Sequence, residues 1–153
     1  MDRIDKKILD CLQKDATLSV ADLAAHVGLS PTPCWRRIRN LEETGVIQRR
    51  VALLDPEKLN LGITVFVSLK TAHHTYEWLK NFAEVVSKID EVVEFYRMSG
   101  DTDYLLRIVV PDIAGYDAVY KRLIQAADLS DVSSSFAMER IKYTTALPLD
   151  YIG

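Results

Sequence analysis

Between Leu29 and Ile47 the chain reads L-S-P-T-P-C-W-R-R-I-R-N-L-E-E-T-G-V-I, a segment with little choice of structure. Ser30 suits the N-cap of a helix, and Pro31 and Pro33 fall in a first turn whose N–H groups have no intrahelical partner to lose. Cys34, Ile38 and Leu41 recur at i, i+4 and i+7 and define one apolar stripe. Thr32, Trp35, Arg36, Arg39 and Asn40 are left on other faces, and a glycine stops the helix before an apolar run. The spacing predicts a short helix whose outer face is basic and rich in hydrogen-bonding groups.

The preceding residues give this helix a setting. Ile4, Ile8, Cys11 and Leu12 predict one amphipathic helix ending near Asp15, and Val20 to Val27 a second, with Leu23, Ala24 and Val27 inward. Gly28-Leu29 links it to the third. Two helices joined by a glycine-containing turn read as a helix-turn-helix, whose second helix enters the major groove of DNA while the first buttresses it. The residues alone leave a second reading open, an ordinary three-helix bundle with a solvated basic face.

Charge divides the chain. Residues 1–54 carry nine Lys and Arg against seven Asp and Glu, whereas residues 55–153 carry ten against fifteen. Only the first part suits a polyanion. Arg36, Arg37, Arg39, Arg49 and Arg50 lie near only Glu42 and Glu43, which concentrates positive charge on the third helix and the segment after it. A patch this modest suggests a dimer that doubles it. No apolar run approaches the roughly 20 residues of a membrane span, and the charged start lacks the apolar stretch of a signal peptide, so a cytoplasmic location is expected. Cys11 and Cys34 fall on apolar faces and read as small buried hydrophobes rather than as a bridge or metal ligands.

Val46 to Leu54 has strand composition and reads as a linking strand and wing; Asp55-Pro56 ends it, so the domains are drawn at 1–54 and 55–153. Beyond lie a strand at Ile63 to Thr71, a helix at Tyr76 to Ile89, a hairpin of Glu91 to Met98 with Tyr104 to Val110, a helix from Asp112 through Ala126, and a long strand at Val132 to Ala146. The order β-α-β-β-α-β is the ferredoxin-like split βαβ, a four-stranded antiparallel sheet with both helices on one face, and the chain as a whole is α+β. Val65, Val67, Leu69, Tyr96, Leu106, Ile108 and Phe136 offer more apolar surface than two helices are expected to cover, which predicts sheet-to-sheet dimerisation.

Four ordered motifs carry a family resemblance: V-G-L-S-P-T-P-C-W-R-R-I-R-N-L-E-E-T-G-V-I, V-A-L-L-D-P, S-G-D-T-D-Y-L-L-R and S-S-F-A-M-E-R-I-K. Together they cover essentially the whole chain, which resembles the Lrp/AsnC (feast/famine) family of transcription regulators. The resemblance implies a winged helix-turn-helix that binds double-stranded DNA, followed by a ferredoxin-like domain of the AsnC type that binds small amino acids, dimerises and builds octamers from dimers. On the reading helix and the strand after it, the expected DNA-contacting residues are Ser30, Pro31, Thr32, Trp35, Arg36, Arg37, Arg39, Asn40, Arg49 and Arg50.

The same resemblance places the effector site at the hairpin turn and the last strand, here Met98, Ser99, Gly100, Asp101, Thr102, Asp103 and Tyr104, with Ser133, Ser134, Ser135, Phe136 and Ala137. A free amino acid needs acceptors for its ammonium and donors for its carboxylate. Asp101 and Asp103 can supply the first, and the loop backbone and serines the second. By composition alone Gly100 and its aspartates are simply a β-turn. His26, His73 and His74 have no carboxylate or cysteine beside them at ligand spacing, and no nucleophile elbow, glycine-rich phosphate loop or zinc signature occurs. No enzyme activity, metal or cofactor is therefore expected; the competing function is a metal- or redox-sensing repressor using Cys11, Cys34 and the histidines.

Overall fold

The computed structural model describes residues 1–152. They form two compact units, one of Met1–Leu53 with the segment from Ile141 onward, the other of Leu54–Arg140.

The first unit holds three helices, α1 (Arg3–Leu12), α2 (Val20–Val27) and α3 (Pro31–Glu43). Asp2 caps α1 by accepting from the Ile4 and Asp5 N–H groups at 2.8 and 2.9 Å, and the Asp5 carboxylate accepts in return from the Asp2 N–H. The helix stops at Leu12, short of the expected Asp15, because the Asp15 carboxylate accepts from Thr17 N–H and Oγ1 and holds the chain in a turn. Gly28 ends α2 in the left-handed region at φ 74°, which lets the Leu29 N–H reach back to the Ala24 carbonyl at 2.9 Å. Ile8, Leu23, Ala24, Val27, Cys34, Ile38 and Leu41 are buried between the three helices, as their spacing predicts.

Two expected strands behave differently. Residues 46–54 form no strand: beyond Ile47, whose N–H is tied to the Leu41 carbonyl, Val51, Leu53 and Leu54 are exposed. The last strand is also shorter than expected, β4 covering Asp131–Phe136 rather than running to Ala146. One more ladder bond follows, from the Ala137 N–H to the Thr64 carbonyl. The neighbouring strand then runs out, since it begins at Ile63. From Ile141 onward the chain belongs to the first unit, where Leu149 packs on the helical core and Lys6 Nζ donates to the Ile152 carbonyl at 2.8 Å. The domain division at 54/55 therefore needs correction for these last residues.

The second unit runs β1 (Ile63–Lys70), α4 (Tyr76–Val86), β2 (Val92–Arg97), β3 (Tyr104–Val110), α5 (Ile113–Ala126) and β4, and its four strands form one antiparallel sheet in the order β2-β3-β1-β4, the ferredoxin-like arrangement. Val65, Val67, Leu69, Leu106 and Ile108 are wholly buried against Phe82 and Val86 of α4 and Val119 and Leu123 of α5. The two helices thus cover five of the seven apolar strand positions expected to be in surplus, and leave Tyr96 and Phe136 exposed. At about 1.5–3 kcal/mol for each fully buried large aliphatic or aromatic side chain, this face supplies most of the unit's hydrophobic stabilisation. The opposite face carries Phe66, Ser68, Leu105, Arg107, Val109, Ser133 and Ser135 by register, with Glu94 and Tyr96 from β2. A bulge between Val92 and Glu94 breaks the expected alternation, so that both Val92 and Phe95 pack on the helix-side core while Val93 is exposed.

Candidate nucleic-acid interface and ligand pocket

The start of α3 is set by its prolines. Pro31 and Pro33 occupy the first and third helical positions and have no N–H to offer a cap, so Ser30 adopts the extended capping conformation without a side-chain capping bond. Its hydroxyl is left at the helix start. The helix turns about 100° per residue, and with Cys34, Ile38 and Leu41 inward this carries Thr32, Arg36, Arg39 and Asn40 to the outer side.

The five arginines expected at the interface divide into different roles. Arg37 lies on the flank of the buried stripe, where its Nη1 donates to Asp2 at 2.7 Å and to Asp5 at 2.8 Å, tying α3 to the start of α1. The Asp5 N–H and then the Arg37 guanidinium hold the Asp2 carboxyl below its ordinary range. Arg39 sits 5.8 Å from the Trp35 ring centroid and 3.1 Å from Glu43, and Arg50 pairs with Glu42 at 3.0 Å. Arg36 and Arg49 have no ion pair among the described residues. Trp35 is half exposed, an indole beside a guanidinium on an otherwise polar face.

The hairpin loop is shaped by two backbone features. The Met98 N–H donates to the Asp103 carbonyl at 2.8 Å, and Gly100 takes φ 102°, a conformation L side chains rarely adopt. Asp103 anchors the loop to the end of β1: its N–H donates to the Leu69 carbonyl at 3.0 Å and its Oδ2 accepts from the Thr71 N–H at 2.9 Å. Thr71, itself buried, donates to the Asp128 carbonyl, and His73 lies 3.3 Å from the Asp128 carboxylate. Tyr104 is buried among Trp78, Phe82 and Phe95, with ring centroids 5.7–5.9 Å away.

A cavity of 220 Å³ opens beside this loop, lined by His74, Thr75, Tyr76, Leu79, Arg97, Met98, Asp103 and Tyr104. Met98, Asp103 and Tyr104 were expected at a ligand site; the others were not. A signal for them existed in the topology, because Leu69 near the end of β1 pairs with Tyr104 at the start of β3. That pairing brings the β1–α4 loop and the hairpin loop to the same end of the sheet.

The β4 residues lie apart from this cavity. Ser134 bonds the Tyr116 hydroxyl and Phe136 packs edge-on against the same ring, while Ser133 and Ser135 face away from the helices. By register Phe136 pairs with Val65, which pairs with Ile108, four residues along β3 from Tyr104, or roughly 13 Å at the strand rise. One chain therefore does not gather the hairpin loop and residues 134–137 into one pocket.

Cys34 is buried, and burial pushes its thiol up against a smaller downward pull from Arg37. Among the described residues no group of three or more His, Cys, Asp or Glu is placed to hold a metal ion, and no helix is long and apolar enough to cross a membrane.

Comparisons with known proteins match both units. Residues 64–147 match the Lrp/AsnC ligand-binding domain, and residues 1–48 match the winged helix-turn-helix DNA-binding family. The DNA-binding transcriptional activator DecR of Escherichia coli K12 is 53% identical over 151 residues, spanning 98% of this chain and 99% of its own length. The crystal structure of an AsnC family transcriptional regulator from Agrobacterium tumefaciens superposes with a TM-score of 0.97 at 70% identity, covering 99% of both chains. A transcriptional regulator from Neisseria meningitidis, solved as a complex with L-Met, gives a TM-score of 0.93 at 36% identity, covering 98% of this chain and 97% of its own.

Proposed function

This chain belongs to the Lrp/AsnC family of transcriptional regulators, and on that premise we propose that it reads duplex DNA through the outer face of α3 under the control of a free amino acid held by the second unit. The observation that carries the DNA part is the division of labour on α3. Arg37 is committed to Asp2 and Asp5, whereas Arg36 has no ion pair among the described residues and shares the outer side with Thr32, Arg39 and Asn40. Arg36, Arg39 and Asn40, with Trp35 beside them, approach base edges; Ser30, Pro31, Thr32, Arg49 and Arg50 lie toward phosphates. Arg37 acts as a brace for the helix rather than as a contact.

The test is fluorescence anisotropy on a duplex selected from a randomised pool and on a random-sequence control. Arg36→Ala costs about 1–3 kcal/mol on the selected duplex and little on the control. Arg49→Ala weakens both alike and lowers the salt slope by about one. Equal losses for Arg36→Ala on the two duplexes overturn the assignment.

A homodimer is the working unit in this reading, and dimers associate further into an octamer. Support comes from residues 46–54, strand-like in composition yet in no ladder, with Val51, Leu53 and Leu54 exposed. Strand-like backbone outside any ladder, beside exposed apolar side chains, suits pairing with a second copy. The open sheet face, with Phe66, Tyr96 and the Glu94–Arg107 ion pair, adds a second surface for that copy.

For the effector, the backbone of Ser99, Gly100, Asp101 and Thr102 presents donors and Asp101 a carboxylate at an exposed loop, while Ser133, Ser135 and Ala137 lie across β1 in the same chain. The cavity beside the hairpin loop holds the ligand in this reading, and β4 of a second copy closes over the loop when copies meet. Protein of this kind works by binding, not catalysis, alongside the nucleoid in the cytoplasm.

A further inference from the structure

The 220 Å³ cavity beside the hairpin loop carries an inference about the ligand's side chain, and it rests on the reading that the second unit binds a free amino acid. Its volume lies below the roughly 300–1,000 Å³ of pockets for drug-sized ligands, a scale suited to one small metabolite. The charged and polar groups on its wall are unequal in number. Asp103 is its one carboxylate, with Oδ2 already accepting from the Thr71 N–H, which leaves Oδ1 to receive an ammonium. Against it stand Arg97, whose guanidinium has no hydrogen bond or ion pair among the described residues, and His74, whose ring has none either.

An amino acid with a neutral side chain uses one acceptor for its ammonium and one donor set for its carboxylate. Asp103 and Arg97 meet that need in full, since a guanidinium grips a carboxylate with two parallel bonds. His74 is then left over. An aliphatic side chain laid against it would strip water from a polar ring and return no hydrogen bond. A second carboxylate returns one, and Leu79, Met98 and Tyr104 line the cavity with apolar surface for the methylene stem. We propose that this cavity takes an acidic amino acid of the aspartate–glutamate class, with Asp103 holding the ammonium, Arg97 one carboxylate and His74 the other.

Calorimetric titration of the full chain with L-glutamate, L-aspartate, L-glutamine, L-leucine and L-methionine tests this. One of the two acidic ligands is expected to bind about tenfold or more tightly than the other three, because a site built around hydrogen bonds rejects ligands that leave its groups unpaired. At two exposed positions, His74→Ala loses that preference and Arg97→Met weakens binding of all five, while the thermal unfolding of the protein and its DNA binding without ligand stay as they were. Tighter binding of leucine or methionine, or undiminished acid binding in both variants, overturns the inference and leaves the amino-acid effector reading standing. Failure of every amino acid to bind overturns both.

Discussion

Gln13 and Leu147 grip each other by both hands of an amide: Gln13 Nε2 donates to the Leu147 carbonyl at 2.9 Å, and the Leu147 N–H donates to Gln13 Oε1 at 2.9 Å. This pair, with Leu149 on the helical core and Lys6 on the Ile152 carbonyl, makes residues 147–152 a strap across α1.

The strap is therefore a stabilising part of the DNA-reading unit. Gln13→Ala is expected to cost up to about 1 kcal/mol, the range of an exposed hydrogen-bonded pair. Leu149→Ala costs more, though less than the roughly 2–5 kcal/mol of a fully buried leucine. Urea unfolding followed by Trp35 fluorescence checks both, and a chain ending at Arg140 loses at least as much as the two together.

Arg37 gives the same unit a dependence on acid. The Asp2 carboxyl is held below its ordinary value of 3.8 by the Asp5 N–H and the Arg37 guanidinium. Its stabilisation is present above that value and is lost as pH falls through the depressed folded value. Unfolding measured from about pH 6 down to about pH 2 should show this loss, and Arg37→Ala should flatten the acid limb while lowering stability at neutral pH. An unchanged acid limb in the variant contradicts the brace.

Gly100→Ala tests backbone strain separately from packing. An added Cβ meets nothing within 4 Å, but the backbone sits at φ 102°, so a loss of about 1–3 kcal/mol is expected through conformation alone. Gly62→Ala, where space is equally open and φ is unexceptional, serves as the control and should melt near the parent temperature.

Charge placed on the exposed apolar side chains of the linker tests the homodimer. Val51→Lys with Leu53→Lys is expected to raise the dimer dissociation constant about tenfold or more, since either lysine would have to be desolvated at the joint. Sedimentation equilibrium reads this directly, and a parent protein that is monomeric throughout counts against the dimer itself.

The helices were legible because their signals are local. Capping residues, terminating glycines and 3.6-residue periodicity fix α2, α3 and α5 closely, and the sheet order follows from the β-α-β-β-α-β sequence. What escaped depends on partners distant along the chain. Residues 46–54 and 138–146 have strand composition but join no ladder, and beyond Ala137 the neighbouring strand has run out because β1 begins only at Ile63. Composition groups Arg37 with the other arginines of α3, although the turn of the helix puts it about 60° from the buried stripe, within reach of α1. His74 and Arg97 belong to separate loops and strands, and only the pairing of Leu69 with Tyr104 brings their neighbourhoods together. The resemblance groups the β4 residues with the hairpin, whereas the cavity beside that hairpin has no β4 residue on its wall within one chain.

The strap also sets an order of events during synthesis. Gln13 and Leu147 are separated by 134 residues, so the three helices leave the ribosome long before the segment that closes over α1 exists. Domains otherwise tend to fold as units in the order they are made. Here one flank of the reading head's core stays open until the ferredoxin-like unit has been translated, so the first unit to emerge is the later of the two to be closed.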